Sequence, residues 1–219
     1  MTLTELLQKG GPVVWILAVY SVLGLAIVLD RWIYYLRLRR LPPALDAALA
    51  GGHWDSETEK AVAAHKGPEA AVVRAMLDAI RDRIRDIAQV GMRVRMQEVQ
   101  RMEHGLRTLG ILGNTAPLLG LLGTITGMIK AFMVIEQAGG KVDAQALAGG
   151  IWEAMITTGV GLAVAIPLLI LLHILEGVVE RRANAMSQAV SLVLERHTRD
   201  QVAPGDANPH HWESIPHAI

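Results

Sequence analysis

AQALAGGIWEAMITTGVGLAVAIPLLILL, residues 144–172, is apolar from end to end apart from one charge, Glu153. A helix needs about 20 apolar residues to cross the hydrocarbon core of a bilayer, so this run is long enough to span with the carboxyl inside it. An acidic residue at mid-span is costly, roughly 2.5–3.5 kcal/mol on insertion scales. Residues of this kind face a bundle interior, a water-filled cavity or an ion path. Glu153 is therefore the first candidate site residue, and the rest of the chain is read outward from it.

Two further uncharged runs have spanning length, Gly10–Leu29 and Thr108–Ile129. The averages, 52% apolar residues and zero net charge over 219 residues, would also suit a soluble protein; the distribution decides for an integral membrane protein. The first run has no basic stretch before it beyond Lys9 and lacks a small-residue cleavage site, so it is read as a span rather than a cleaved leader. With no cysteine in the chain, disulfides, thiolate nucleophiles and cysteine-based zinc sites are excluded. No nucleophile–base pair, phosphate loop or metal-ligand spacing appears. His53 and His65 are out of register, and His210-His211 sits in a Pro- and Gly-rich tail. The expectation is no enzyme, no cofactor and no metal.

Orientation follows from Arg and Lys. Residues 37–107 hold thirteen of them, whereas residues 136–143 hold only Lys141. By the positive-inside rule the long middle segment and the C-terminus are cytoplasmic and the N-terminus periplasmic. Ten Asp and Glu in the same segment argue against a nucleic-acid surface. In chain order the reading is an outer interfacial segment at 1–11, a first transmembrane helix at 12–36 and a cytoplasmic helical region at 37–107. A second span at 108–135, a periplasmic turn at 136–143 and a third span at 144–176 follow, then a cytoplasmic helix at 177–199 and a disordered tail at 200–219. Ala44–Ala50 has the pattern of a short helix. Asp30 and Arg31 are placed to pair at the inner end of the first span. Beyond Pro68, Val73, Leu77, Ile80, Ile84, Ile87, Gly91 and Val94 recur at helical steps. That pattern predicts one helix running unbroken into the second span, its apolar stripe covered by neighbouring subunits.

The second and third spans are marked by small residues at steps of three and four, which let helix backbones approach closely in lipid. Gly120, Gly123 and Gly127 form this surface on the second, and Gly161 with Ala154 and Ala165 on the third. Thr124 lies fifteen residues before Gly139 and Glu153 thirteen after Gly140; an antiparallel hairpin turning there sets them at similar depth. Thr157 is four residues from Glu153 and shares its face, while Thr158 points to an adjacent one. Pro167 is a candidate kink.

The runs TAPLLGLLGTITGMIKAF (115–132) and GGIWEAMITTGVGLAVAIP (149–167), with QKGGPVVWILAVYS (8–21) and Asp30-Arg31, resemble the ExbB/TolQ/MotA proton-channel proteins. Three spans rather than four favour ExbB or TolQ over the flagellar MotA type, and the 8–21 run with Asp30-Arg31 resembles the start of the ExbB branch. The resemblance implies an all-α integral membrane protein of three transmembrane helices with long cytoplasmic helical extensions, assembled as a pentameric bundle. It implies partners too: an ExbD- or TolR-like single-span protein carrying a membrane Asp, and a TonB- or TolA-like protein, in the bacterial inner membrane. Function is then proton conduction that drives outer-membrane transport. Matched by motif, Glu153 is the acid of the third span, Thr124 the threonine of GLLGT and Thr158 the threonine five after the acid; face geometry alone favours Thr157. Trp152 before the acid and His173, where relatives commonly carry Asn, are departures. The alternatives are a TolQ-like envelope-maintenance motor, a sodium-driven variant and a non-conducting membrane scaffold.

Overall fold

The computed structural model describes residues 11–38, 47, 56–137 and 144–202, and these contain helix and no strand. The expected interfacial segment up to residue 10, the helix over 44–50 (only residue 47, helical, is described), the Gly139-Gly140 turn and the tail beyond residue 202 lie outside the described residues; residues 200–202, expected in the disordered tail, are helical. The chain divides into two compact units, one of residues 1–38 and 100–180, the other of residues 39–99 and 181–219.

In the first unit, helix α1 is Gly11–Arg37, α5 is Leu106–Gln137, and α6, Ala144–Val202, contributes residues to Glu180. All three helices are long and apolar enough to cross a membrane. Their outward side chains are the large aliphatic and aromatic ones, among them Trp15, Leu118, Ile125, Phe132, Ile166 and Ile170. Water does not solvate such a surface and lipid does.

The seam between α5 and α6 is built by missing side chains. A Cβ added at Gly161 would lie 2.8 Å from the Ala116 carbonyl oxygen, and one at Gly120 would lie 3.0 Å from that of Thr157. Gly127 faces Ala154 and the carbonyl of Gly150 in the same way. Gly120, Gly127 and Gly161 thus meet backbone atoms of the facing helix, whereas Gly123 meets the Thr157 side chain. Pro117 and Pro167 both sit inside their helices, which continue through them. Helix α1 lies along this pair, with Val13 and Leu17 clustered against Ala116 and Ala165 and Gly24 against Leu168. At its other end Arg31 binds Asp30 at 2.6 Å and donates to the carbonyl of Arg101, while Tyr35 donates to that of Met102 at 2.7 Å. The Asp30–Arg31 pairing expected from sequence is present, and both donors close off carbonyls near the end of the helix before α5.

The unbroken helix expected from Pro68 into the second span is in fact three. Helix α3 is Pro68–Arg81, α4 is Ile87–Glu103, and α5 begins at Leu106. The first break has Arg83 at φ 55° and is closed by Asp86, whose carboxylate accepts the Gln89 amide at 2.9 Å as an N-cap. The second falls at Gly105, whose φ of 81° ends a helix at little cost for glycine.

In the second unit α2, Ser56–Ala64, joins α3, α4 and the C-terminal part of α6. Val62, Val72, Val73, Met76, Ile87, Met186, Ala189, Val190 and Val193 form its core. Of the apolar stripe expected to seek neighbouring subunits, Val73 and Ile87 lie in this core and Leu77, Ile80 and Val94 pack against it, while Ile84 stays exposed. Gly91 admits the approach, since a Cβ there would lie 2.7 Å from Met76 Sδ and 3.1 Å from Val190 Cγ2. Glu69, 1% exposed, accepts from Arg182 at 2.9 Å inside this unit.

Two outcomes test this packing. Gly161→Ala is expected to lower the thermal midpoint in detergent, with a loss of about 1–3 kcal/mol from overpacking, whereas Gly159→Ala, with open space around its added Cβ, leaves the midpoint unchanged or raised. Glu69→Ala is expected to cost about 3–5 kcal/mol, as for one partner removed from a buried pair. Arg199→Ala, from the exposed pair with Glu195, should change stability by less than about 0.5 kcal/mol in the same denaturation experiment.

Candidate functional site

Glu153 is nine residues past the described start of α6, about 13 Å into the helix at 1.5 Å per residue. Its carboxylate is 3.2 Å from Lys130 Nζ on α5, with the acid side chain 27% exposed. The first span, α1, supplies the backbone of Gly11, where an added Cβ would lie 2.8 Å from Glu153 Oε1. Gly11 also has φ 65°, a conformation side chains rarely adopt. Three spans therefore converge on one carboxylate, which meets an ammonium and the first turn of α1. The first amides of a helix lack intrahelical acceptors and carry partial positive charge, so this end suits an anion.

The seam fixes where the other sequence-predicted residues go. Thr157 is buried in it, 2% exposed, against Gly123, and its hydroxyl donates to the Ala154 carbonyl at 2.8 Å. Thr158 donates across to the Gly120 carbonyl at 3.3 Å and is partly exposed. Thr124 is partly exposed and donates to its own helix at Leu121. At 100° per residue Glu153 and Thr158 are about 140° apart on α6, with the seam between them. Glu153 and Lys130 occupy the flank that meets α1 at Gly11; Thr124 and Thr158 occupy the other.

The pairing of Gly127 with Ala154 and of Gly123 with Thr157 also sets the depth. Thr124 is level with Thr157, about one turn along α6 from Glu153, not level with Glu153 as a turn centred on Gly139-Gly140 implied. Counted from Gly139-Gly140, the level residues lie fifteen back at Thr124 and seventeen on at Thr157, so the α6 arm is the longer by about two residues. Lys130 was missed for a related reason. It closes the uncharged run that ends at Ile129, and so reads as a flank of the span until hairpin register brings it to Glu153.

Glu153 can exchange a proton, Lys130 can neutralise it, and the threonine hydroxyls can bind carbonyls or water. Among the described residues no group of three His, Cys, Asp or Glu could hold a metal ion. Three helices of spanning length meeting at one carboxylate mark a multi-pass membrane protein. The chain belongs to the MotA/TolQ/ExbB proton channel family, whose profile matches residues 64–188, and within it to the ExbB-like branch. It is 34% identical over 179 residues to the biopolymer transport protein ExbB-like 1 of Synechocystis, covering 76% of this chain and 68% of that protein. A biopolymer transport protein ExbB homolog of Methanothermobacter thermautotrophicus is 29% identical over 182 residues, covering 80% and 63%. The chain thus spans about two-thirds of the length of these two relatives. The biopolymer transport protein ExbB of Neisseria gonorrhoeae is 42% identical over a shorter stretch of 71 residues, 32% of each chain.

The threonines separate by experiment. Thr158→Val removes an inter-helix hydrogen bond and is expected to cost about 0.6 kcal/mol, the mean for such bonds between membrane helices. Thr157→Val keeps the branched shape that fills the seam and loses only a bond to its own helix, so its unfolding midpoint in detergent should shift less.

Proposed function

We propose that this chain is the proton-conducting subunit of an ExbB-type motor in the bacterial inner membrane, its N-terminus periplasmic and its C-terminus cytoplasmic. The observation that carries the reading is the Glu153 carboxylate held between spans, about 13 Å inside its helix, and paired with the Lys130 ammonium at 3.2 Å. Family membership supports proton rather than organic chemistry as its task. In this reading the chain assembles as a pentamer around an ExbD- or TolR-like single span whose Asp exchanges protons with Glu153. The resulting motion reaches the outer membrane through a TonB-like protein.

Each proton crossing 100 mV releases about 2.3 kcal/mol. That is enough to bias rotation among near-equivalent subunit positions. Thr158 and Thr124, with carbonyl-bonded hydroxyls on the flank away from α1, serve water or a partner group there. Thr157, sealed in the seam, holds the two helices together.

Glu153→Gln keeps the shape and removes titration. Expressed with its partners in cells lacking their own copy, this variant should assemble at normal mass and lose about a hundredfold or more of partner-dependent transport, the contribution typical of a positioned proton-transfer group. Normal transport by the variant would leave a scaffold. Transport that stops in sodium-free buffer would mark the sodium-driven form instead.

A further inference from the structure

Lys130 is unexpected in its own right. A lysine seven residues before the described end of α5, about 10 Å along the helix, carries the same kind of cost as an acid there unless it snorkels or pairs. Its ammonium pairs with Glu153 at 3.2 Å. Among the described residues, the three spans offer little else to either charge. Neither α1 before Asp30, nor α5 between Arg107 and Lys130, nor α6 between Glu153 and His173 contains another Asp, Glu, Lys, Arg or His; Glu136 follows six residues later on α5. The pair also sits on one flank only, against Gly11, where a β-carbon would collide with Oε1.

We propose that Lys130 is a positioning residue that ties the location of the Glu153 side chain to its proton. While Glu153 is a carboxylate, the ammonium and the first turn of α1 hold it on the α1 flank of the seam. When one proton from water or a partner acid adds to the carboxylate, an O–H bond forms and the net charge of the pair goes from zero to plus one. The ammonium then faces a neutral acid, the ionic attraction is gone, and the side chain is released to turn toward a partner. Loss of that proton to an acceptor restores the ion pair and the held position. This inference rests on the proton reading of Glu153 and assigns to this chain a cation that acts through the acid.

The test uses the full chain with its natural partners in cells lacking their own copy, scoring assembled mass and partner-dependent transport. Lys130→Met should assemble normally and lose about tenfold or more of the transport, the factor by which one close opposite charge changes a proton equilibrium. Lys130→Arg keeps the charge and should recover most of the activity. Adding Lys130→Met to Glu153→Gln should change nothing further. Wild-type transport by Lys130→Met, or Lys130→Arg no better than Lys130→Met, overturns the proposal. If Lys130→Met does not assemble, the charges are exchanged: Lys130→Glu with Glu153→Lys must restore the assembly that each single reversal loses, and no restoration overturns the pairing. Full transport by Glu153→Gln would strike the proton reading itself. Loss in Glu153→Gln beside normal transport in Lys130→Met strikes only the role of the lysine.

Discussion

Two helix backbones in lipid can press together only where side chains are absent, because lipid tails solvate leucine as well as another leucine does. The contact of α5 with α6 depends on this. Gly120 and Gly161 lie so close across the seam that a single added methyl would reach a carbonyl oxygen or an α-carbon of the other helix. Everything at the site inherits its position from that contact. The seam fixes the depth at which α5 meets α6, and so brings Lys130 to Glu153. It also sets the rotation of each helix, which buries Thr157 and leaves Glu153 and Thr158 on opposite flanks.

The second unit obeys the other solvent. Its core of Val72, Val73, Met76, Met186 and Val190 is an ordinary cluster of packed aliphatic side chains, stabilised by removal from water. A buried Glu69–Arg182 pair lies beside it. One helix, α6, serves both regimes, changing from small residues at Gly161 and Ala165 to the Met186–Val193 stripe without a break.

The spans were legible because charge-free length is a strong signal and few other structures produce it. So were the packing glycines, since their spacing repeats the helical period. Glu153 was legible as an exception to its own surroundings. The breaks around Arg83 and Gly105 were not, because a periodic apolar pattern persists across a short interruption. The local cue was present in Asp86 and Gln89, an acid three residues before an amide at a helix start, but it was outweighed by the longer pattern. Choosing between Thr157 and Thr158 needed the direction of the seam, which the sequence of one helix does not contain. Lys130 needed the hairpin register, a property of two helices together.

A surface made by omission has one further property. Substitution can only add atoms to Gly120 or Gly161, so the hairpin has no unused reserve of attraction for mutation to tap. Engineering a hardier form of the protein has to begin elsewhere, in the aliphatic cluster of the second unit, where side-chain volume can still be exchanged and refitted.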